Sequence, residues 1–322
     1  MRNTMDGFAH DLSQSLPAGR QRTVKAAIGC VGIGLHSGRR ISLTFRPAAA
    51  GSGVVFRRTD LGIDIPARFD CVVDTRMCTM LAAPGAPDAR VGTVEHVMAA
   101  LAACRIDNVV VELDGPEVPV LDGSSAPFVF LIDCAGVVEQ AQMAPSIEIL
   151  RTVRVEDGES FAELRPASLS GLELAVSIDF SAPAIGRQAL SLAMDTTTFR
   201  GQLARARTFA MAEEIAGLQA VGLARGGSLD NAVVVDGAQV LNPGGLRMTD
   251  EFVRHKMLDA VGDLALAGAR LLGRFVAHRP GHTLNNRLLR TLFADETAWV
   301  WADAPVMAGW AGAPMAAAAA PV

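Results

Sequence analysis

The segment EFVRHKMLDAVGDL, residues 251–264, repeats apolar residues at helical spacing, yet it carries His255, Lys256, Asp259 and Asp263. At roughly 100° per residue, with His255 set at zero, Asp259 falls near ~40°, Asp263 near ~80° and Lys256 near ~100°. Apolar residues occupy most of the remaining circle, so the expected helix is buried on most sides with one narrow polar stripe. His255 and Asp259 stand one turn apart, and their side chains can meet at one point. An ordinary i,i+4 ion pair is the plain explanation. Against it, an acid C-terminal to its cation is the less favoured order on a helix, and unpaired charge on a buried stripe is very costly. A divalent metal would satisfy both groups. A catalytic zinc takes three protein ligands, so one more must come from elsewhere in the chain.

The six histidines are His10, His36, His96, His255, His278 and His282. His10 lies in a polar N-terminal stretch and is given no role. His278 alternates with Ala277 on a strand pattern and reads as a surface or packing residue. His36 sits in GIGLHSG, a Gly-rich turn without the strand-to-helix arrangement of a phosphate loop, and is assigned a structural role. His96 and His282 remain. His96 directly follows Glu95 in GTVEHVMAA, in the first turn of an expected helix, where it is either a packing residue or a ligand. A glutamate beside a metal-bound imidazole has a defined use in other zinc hydrolases: not itself a ligand, it takes a proton from the attacking water. His96, His255 and Asp259 would then form a two-histidine, one-carboxylate site with one position open, provided two segments far apart in sequence face each other.

The elements that must position these groups fall into two runs. RRISLTFRPA and SGVVFRR read as strands, since β-branched residues alternate between Gly and Pro boundaries. TVEHVMAALAAC reads as a helix with Thr93 as N-cap, NVVVELD as a buried strand, GPEVPVLDGSSAPF as a loop and APFVFLIDCAGV as a second helix. Near residue 146 the pattern restarts. RTVRVEDGESFAELRP and LELAVSIDF read as strands, TTTFRGQLARART and MAEEIAGLQAVGL as helical, and NAVVVDG as a strand. The long helix EFVRHKMLDAVGDLALAG, the strand LLGRFVAHR and a helix from GHTLNNRLL follow. Strands then helices, twice, predict an α+β protein of two similar domains, 21–145 with the Glu-His pair and 146–304 with the His-x3-Asp pair. A polar flexible extension (1–20) and an Ala-rich flexible tail (305–322) flank them.

The chain has 322 residues, 50% of them hydrophobic, enough for a substantial core and two domains. Its formal net charge of -5 and lack of a long basic run argue against a nucleic-acid partner. No apolar N-terminal segment resembles a signal peptide, and no stretch of uncharged apolar residues is long enough for a membrane span. Five cysteines, Cys30, Cys71, Cys78, Cys104 and Cys134, with no CxxC pair, fit free thiols in a reducing cytoplasm.

Taken together, TVEHVMAALAACRIDNVVVELDGPEVPVLDGSSAPFV, RARTFAMAEEI, GGSLDNAVVV, DEFVRHKMLDAVGDL and GHTLNNRLL resemble the UDP-3-O-acyl-N-acetylglucosamine deacetylase family, from about Arg22 to about Trp301. These are the zinc amidases of Gram-negative lipid A synthesis. The resemblance implies two domains, each a small β-sheet layered with helices, with the helices packed between the two sheets. It implies His96, His255 and Asp259 as zinc ligands, with Fe2+ as the alternative metal, and Glu95 as general base. It implies His282 as a protonated histidine near the leaving group, oriented by Asp263. Here a tension arises, because His282 sits at a helix start, where the helix dipole disfavours a cation. Thr208 would supply a hydroxyl to the oxyanion, and Lys256 positive charge toward the UDP-acyl-sugar substrate. An apolar passage for the acyl chain would be lined by Phe209, Ile215, Gly227, Ser228 and Ala232. Met77 and Cys78 would lie at the site's edge, Cys78 near the metal without binding it.

Ala224 and Arg225 depart from the larger apolar residues of some relatives, and the extension and tail fall outside the pattern. An apolar C-terminus is a feature a regulatory protease could read, so deleting Ala317 to Val322 is expected to slow turnover in a pulse-chase experiment. Three rival readings are a metal-dependent hydrolase of other specificity such as an esterase, a non-catalytic glycolipid-binding module on the same fold, and a nucleic-acid-binding protein. The second predicts loss of Glu95 or of a ligand, and all are present; the third is disfavoured by the acidic charge.

Overall fold

The structure is a computed structural model, and it describes residues 19–167 and 171–302. The expected tail and nearly all of the expected extension, and with them the protease-recognition idea, lie outside the described residues. The described part is a mixed α+β structure with six α-helices: α1 (Glu95–Ala103), α2 (Ala126–Ala135), α3 (Thr196–Thr198), α4 (Ala212–Ala220), α5 (Glu251–Ala265) and α6 (His282–Ala294).

Residues 28–113 build a five-stranded sheet in the order Ile28–Ile33, Arg40–Pro47, Val109–Leu113, Val54–Arg58, Ile63–Pro66. Its apolar face follows the period-two alternation of the strands: Ile41, Leu43 and Phe45 are fully buried, as are Val109, Val111 and Leu113 on the neighbouring strand. Residues 146–302 build a seven-stranded sheet around Arg270–His278, which pairs antiparallel with Ser160–Arg165 and parallel with Leu172–Asp179 and Ser146–Ile149. There Leu174, Val176, Phe275 and Ala277 point inward.

Helix α2 packs on α1 and on strand Ile28–Ile33, while α6 packs on Val153–Asp157 and Ser160–Arg165, and α5 on Leu172–Asp179. Helices α1 and α5 pack on each other. The helices therefore lie between two sheets, the layering that buries the apolar face of each sheet on helices rather than on water. In both halves the order helix, strand, helix recurs: α1, Val109–Leu113, α2 and then α5, Arg270–His278, α6.

The contact between α1 and α5 is unusually close because of one residue. A Cβ on Gly262 would lie 2.0 Å from the carbonyl oxygen of Glu95. No side chain fits there, so the glycine lets the backbones touch at the point where the polar residues of both helices gather. The helices are also apolar nearly all round. Every residue of α1 except Ala102 is buried, and α5 buries Phe252, Val253, Met257, Leu258 and Val261 among others.

Three local expectations fail. Thr93 is not an N-cap: Val94 precedes α1, and the Thr93 hydroxyl donates to Glu117 Oε1 at 3.0 Å instead. Thr93 adopts φ +55°, a costly left-handed conformation for a β-branched residue, and this tertiary bond holds it there. The helix expected through Ala206, Arg207 and Thr208 stops early. A short α3 and a π-turn over Phe199–Leu203 give way to extended chain and then strand Phe209–Met211. The reason is again tertiary, since the Arg207 backbone and side chain are both committed to Glu251. Finally, Arg20 already belongs to a strand, Arg20–Val24, that pairs with Val137–Met143.

Candidate metal centre

Helix α1 contributes Glu95 and His96 from its first turn, and α5 contributes His255 and Asp259 from successive turns. All four are at least 96% buried. His255 Nε2 lies 3.3 Å, and His96 Nε2 3.6 Å, from Asp259 Oδ1. The three ligand atoms lie within 4.8 Å of one another. A tetrahedral ion with bonds of about 2.0–2.2 Å needs ligand-to-ligand edges of about 3.3–3.6 Å, which the two distances to Asp259 match.

Two further observations support a cation here. Asp259 Oδ1 is buried without a hydrogen-bond partner, which is expensive unless something positive meets it. His255 Nδ1 faces the carbonyl oxygen of Ala206 at 3.1 Å. A carbonyl can only accept, so Nδ1 carries the proton and Nε2 turns its lone pair to the centre, the arrangement usual for metal-binding histidines. Burial pulls the His255 pKa down to about 4, against the pull of Asp259, which keeps the ring neutral and ready to bind. Burial works against charge on Asp259 too, but His255 and Lys256 outweigh it and hold its pKa well below the usual carboxylate range. Lys256 Nζ bonds Asp259 Oδ2 at 3.0 Å, leaving Oδ1 for the centre.

A second polar cluster adjoins the first. His282, the first residue of α6, has Nδ1 2.8 Å from Asp263 Oδ2, and its Nε2 lies 3.9 Å from Glu95 Oε1. Burial pulls the His282 pKa down, but Asp263 and Glu95 outweigh burial and raise it to about 9. The helix-dipole penalty raised by its position is thus overcome by two carboxylates. Burial raises the Glu95 pKa, countered in part by His282 and His96. The Thr79 backbone N–H donates to Glu95 Oε2 at 3.0 Å, and its hydroxyl to Asp263 Oδ1 at 2.5 Å. Asn285 Nδ2 donates to Asp263 Oδ2 at 2.8 Å.

Thr208 reaches the site through a backbone arch. Its N–H donates to the Gly123 carbonyl and its own carbonyl accepts from Val233. Gly123, at φ +82°, sits where a Cβ would fall 2.0 Å from the Asn231 carbonyl, so only glycine allows that loop to meet the second half. The Arg207 guanidinium donates two hydrogen bonds to the buried Glu251 carboxylate, at 2.8 Å and 3.1 Å, anchoring this arch to the start of α5.

These residues wall one cleft, about 300 Å³ in volume, lined by Leu35, His36, Thr75, Arg76, Met77, Thr93, Glu95, His96, Thr208, Phe209, His255, Lys256, Asp259, Gly281, His282 and Thr283. The structure brings His96, His255, Asp259, Glu95, His282, Lys256, Thr208, Met77 and Phe209 together on the wall of this one cleft. Asp263 stands directly behind His282. Ile215, Gly227, Ser228 and Ala232 are not on this wall; they belong to α4 and the chain that follows it. Cys78 is buried close by, and burial raises its pKa, so it stays a thiol.

His36, read from the sequence as structural, also lines the cleft. Both its ring nitrogens are buried without partners, and the ring faces the cleft. Glu117 ties its backbone, accepting the His36 and Ser37 N–H groups at 2.8 and 2.9 Å. Thr79, Asn285 and Gly262 were missed as well. Only Gly262 had a signal in the sequence: a glycine inside a strong helix costs about 1 kcal/mol and asks for a packing reason.

A family model described as UDP-3-O-acyl N-acetylglycosamine deacetylase matches residues 21–294. The UDP-3-O-acyl-N-acetylglucosamine deacetylase of Pasteurella multocida (strain Pm70) is 48% identical over 284 residues, covering 87% of this chain and 92% of its own. That of Aliivibrio fischeri (strain ATCC 700601 / ES114) is 48% identical over 286 residues, covering 88% and 92%.

Proposed function

Because the chain belongs to the UDP-3-O-acyl N-acetylglycosamine deacetylase family, we propose that it hydrolyses the N-acetyl group of UDP-3-O-acyl-N-acetylglucosamine, releasing acetate. In a Gram-negative cytoplasm this is the committed step of lipid A synthesis. The five cysteines are free thiols, in keeping with a reducing compartment. No helix among the described residues is long and apolar enough to cross a membrane. The observation that carries the proposal is the meeting of His96, His255 and Asp259 around one point, flanked by Glu95 and His282.

His96, His255 and Asp259 would hold a Zn2+, with Fe2+ as the alternative. Bound there, such an ion supplies Lewis acidity for the acetyl carbonyl and lowers the pKa of a water to about 7. Glu95, its Oε2 held by the Thr79 N–H, turns Oε1 to the cleft and takes a proton from the attacking water. Such general-base help is typically worth ~10²–10⁴ in rate. The new C–O bond leaves a tetrahedral oxyanion, to which the Thr208 hydroxyl donates. As the C–N bond breaks, the amine needs a proton. His282 holds one at neutral pH, its pKa being about 9, and delivers it from Nε2 while Asp263 keeps the ring aimed. Lys256 offers its ammonium to the substrate's negative charge from the cleft wall. Phe209 and Met77 contact substrate at the cleft, and the acyl chain runs on past Ile215, Gly227, Ser228 and Ala232.

The test is acetate release from UDP-3-O-acyl-N-acetylglucosamine by purified protein, before and after chelation and with zinc added back. Loss on chelation and recovery with zinc is expected. No release at all, or release indifferent to chelator, would reject the proposal.

A further inference from the structure

We propose that Thr79 is a positioning residue that sets the spacing of the two proton-handling groups, Glu95 and His282. The inference rests on the deacetylase reading for the tasks of those two side chains, but the geometry behind it is independent.

Thr79 is 1% exposed and stands just before strand Met80–Ala83, outside α1, α5 and α6, the three helices that carry Glu95, Asp263 and His282. It uses every polar atom on the first two of them. Its carbonyl accepts from Val94 N at 3.4 Å and its N–H donates to Glu95 Oε2, so its backbone holds the start of α1. Its hydroxyl donates to Asp263 Oδ1 on α5. Asp263 in turn receives His282 Nδ1 and Asn285 Nδ2 on its other oxygen. One residue thus ties the base to the carboxylate that aims the acid.

The geometry has a direct consequence. A carboxylate can rotate about its Cβ–Cγ bond, and the Thr79 hydroxyl occupies the oxygen that His282 does not use. Without that bond, Asp263 Oδ1 is left buried with no donor, and the carboxylate is free to turn toward Asn285 or a water. His282 then loses the fixed acceptor behind its Nδ1, and the 3.9 Å spacing to Glu95 is no longer held. Thr79 is not among the residues lining the cleft, so the effect of its hydroxyl must travel through Asp263.

Thr79→Val keeps the shape and the backbone bonds and removes only the hydroxyl. It is expected to lower kcat on the order of 10–100-fold, the usual effect of losing a supporting hydrogen bond behind a site, with KM and metal content unchanged. Thr79→Ser, which keeps the hydroxyl, is expected to return kcat toward wild type. The downfield His282 Nδ1 proton resonance, read by NMR without substrate, should broaden or vanish in the valine variant and persist in the serine variant. Wild-type kcat in folded, metal-loaded Thr79→Val, an unchanged resonance, or no recovery with serine would each overturn the proposal. Should the valine variant not fold, the wild-type protein decides: a slowly exchanging Thr79 hydroxyl proton with a cross-peak to Asp263 supports the proposal, and one exchanging freely with water overturns it. Wild-type protein that releases no acetate rejects the deacetylase reading and leaves these resonances to judge Thr79.

Discussion

Glu95 and His282 sit 3.9 Å apart on the cleft wall, Glu95 buried and His282 partly so, and their environments push them to different tasks. Glu95 lies on the metal-ligand side, and the Glu95→Ala variant is expected to keep its metal while turnover falls ~10²–10⁴-fold. Metal analysis alongside the acetate assay checks this; near wild-type turnover would remove Glu95 as the base. His282 carries a testable pH signature. Its pKa is raised from 6.5 to about 9 in the folded protein. Its contribution to stability is therefore complete below 6.5 and disappears as pH rises through about 9. On chelated protein, the stability gap between wild type and His282→Gln should close across that window, and kcat of loaded enzyme should fall as pH passes about 9. Both depend on the Asp263 carboxylate, so Asp263→Asn should move both limbs to lower pH. A gap that stays constant with pH would show that the imidazole is not charged.

At the scale of elements, the site depends on two tight junctions. Gly262 allows α1 and α5 to touch, and a methyl there meets the Glu95 carbonyl head-on. Gly262→Ala should raise helix propensity but force the helices apart, with a net loss of about 1–3 kcal/mol as for other overpacked cores. Denaturant unfolding reads the loss, and weaker metal binding should accompany it, because His96 moves away from Asp259. The other junction is Arg207 with Glu251, 9% and 0% exposed at the side chain. Arg207→Met leaves Glu251 buried without its partner and should cost about 3–5 kcal/mol. The same change frees the arch bearing Ala206 and Thr208. The long helix at 251–265 was legible in the sequence because its apolar residues recur at helical spacing. The end of the helix near Thr196 was not, because the bonds that pull Arg207 into extended chain reach across to residue 251.

For the molecule as a whole, the decisive fact is that the cluster that could hold a metal takes His96 from the first run of elements and His255 and Asp259 from the second. We propose that the division falls near residue 145, so that an ion clamps two domains. The halves are also joined by the apolar packing of α1 on α5, by the stacked rings of Phe69 and Phe293, and by polar bridges such as Asp107 with Arg270 at 3.1 Å and Thr75 with Thr283 at 2.8 Å. Zinc should then stabilise the folded state by about 4 kcal/mol at a thousand times its Kd. Thermal unfolding with and without chelator measures it, and the increment should be absent in His96→Ala. An equal gain in that variant would mean that α1 does not contribute a ligand.

The sequence by itself determined the long helices, the main strands and the inventory of reactive groups. Period-two and helical patterning are local, and the Glu-His and His-x3-Asp pairs can be read from a few residues each. Only the tertiary structure decided that His36 faces the cleft, that Thr79 joins Glu95 to Asp263, and that Thr93 is no cap. Each of these is settled by a contact between residues distant in the chain. Such contacts exist only once burial has removed water as the alternative partner for every polar atom, and no local pattern records them.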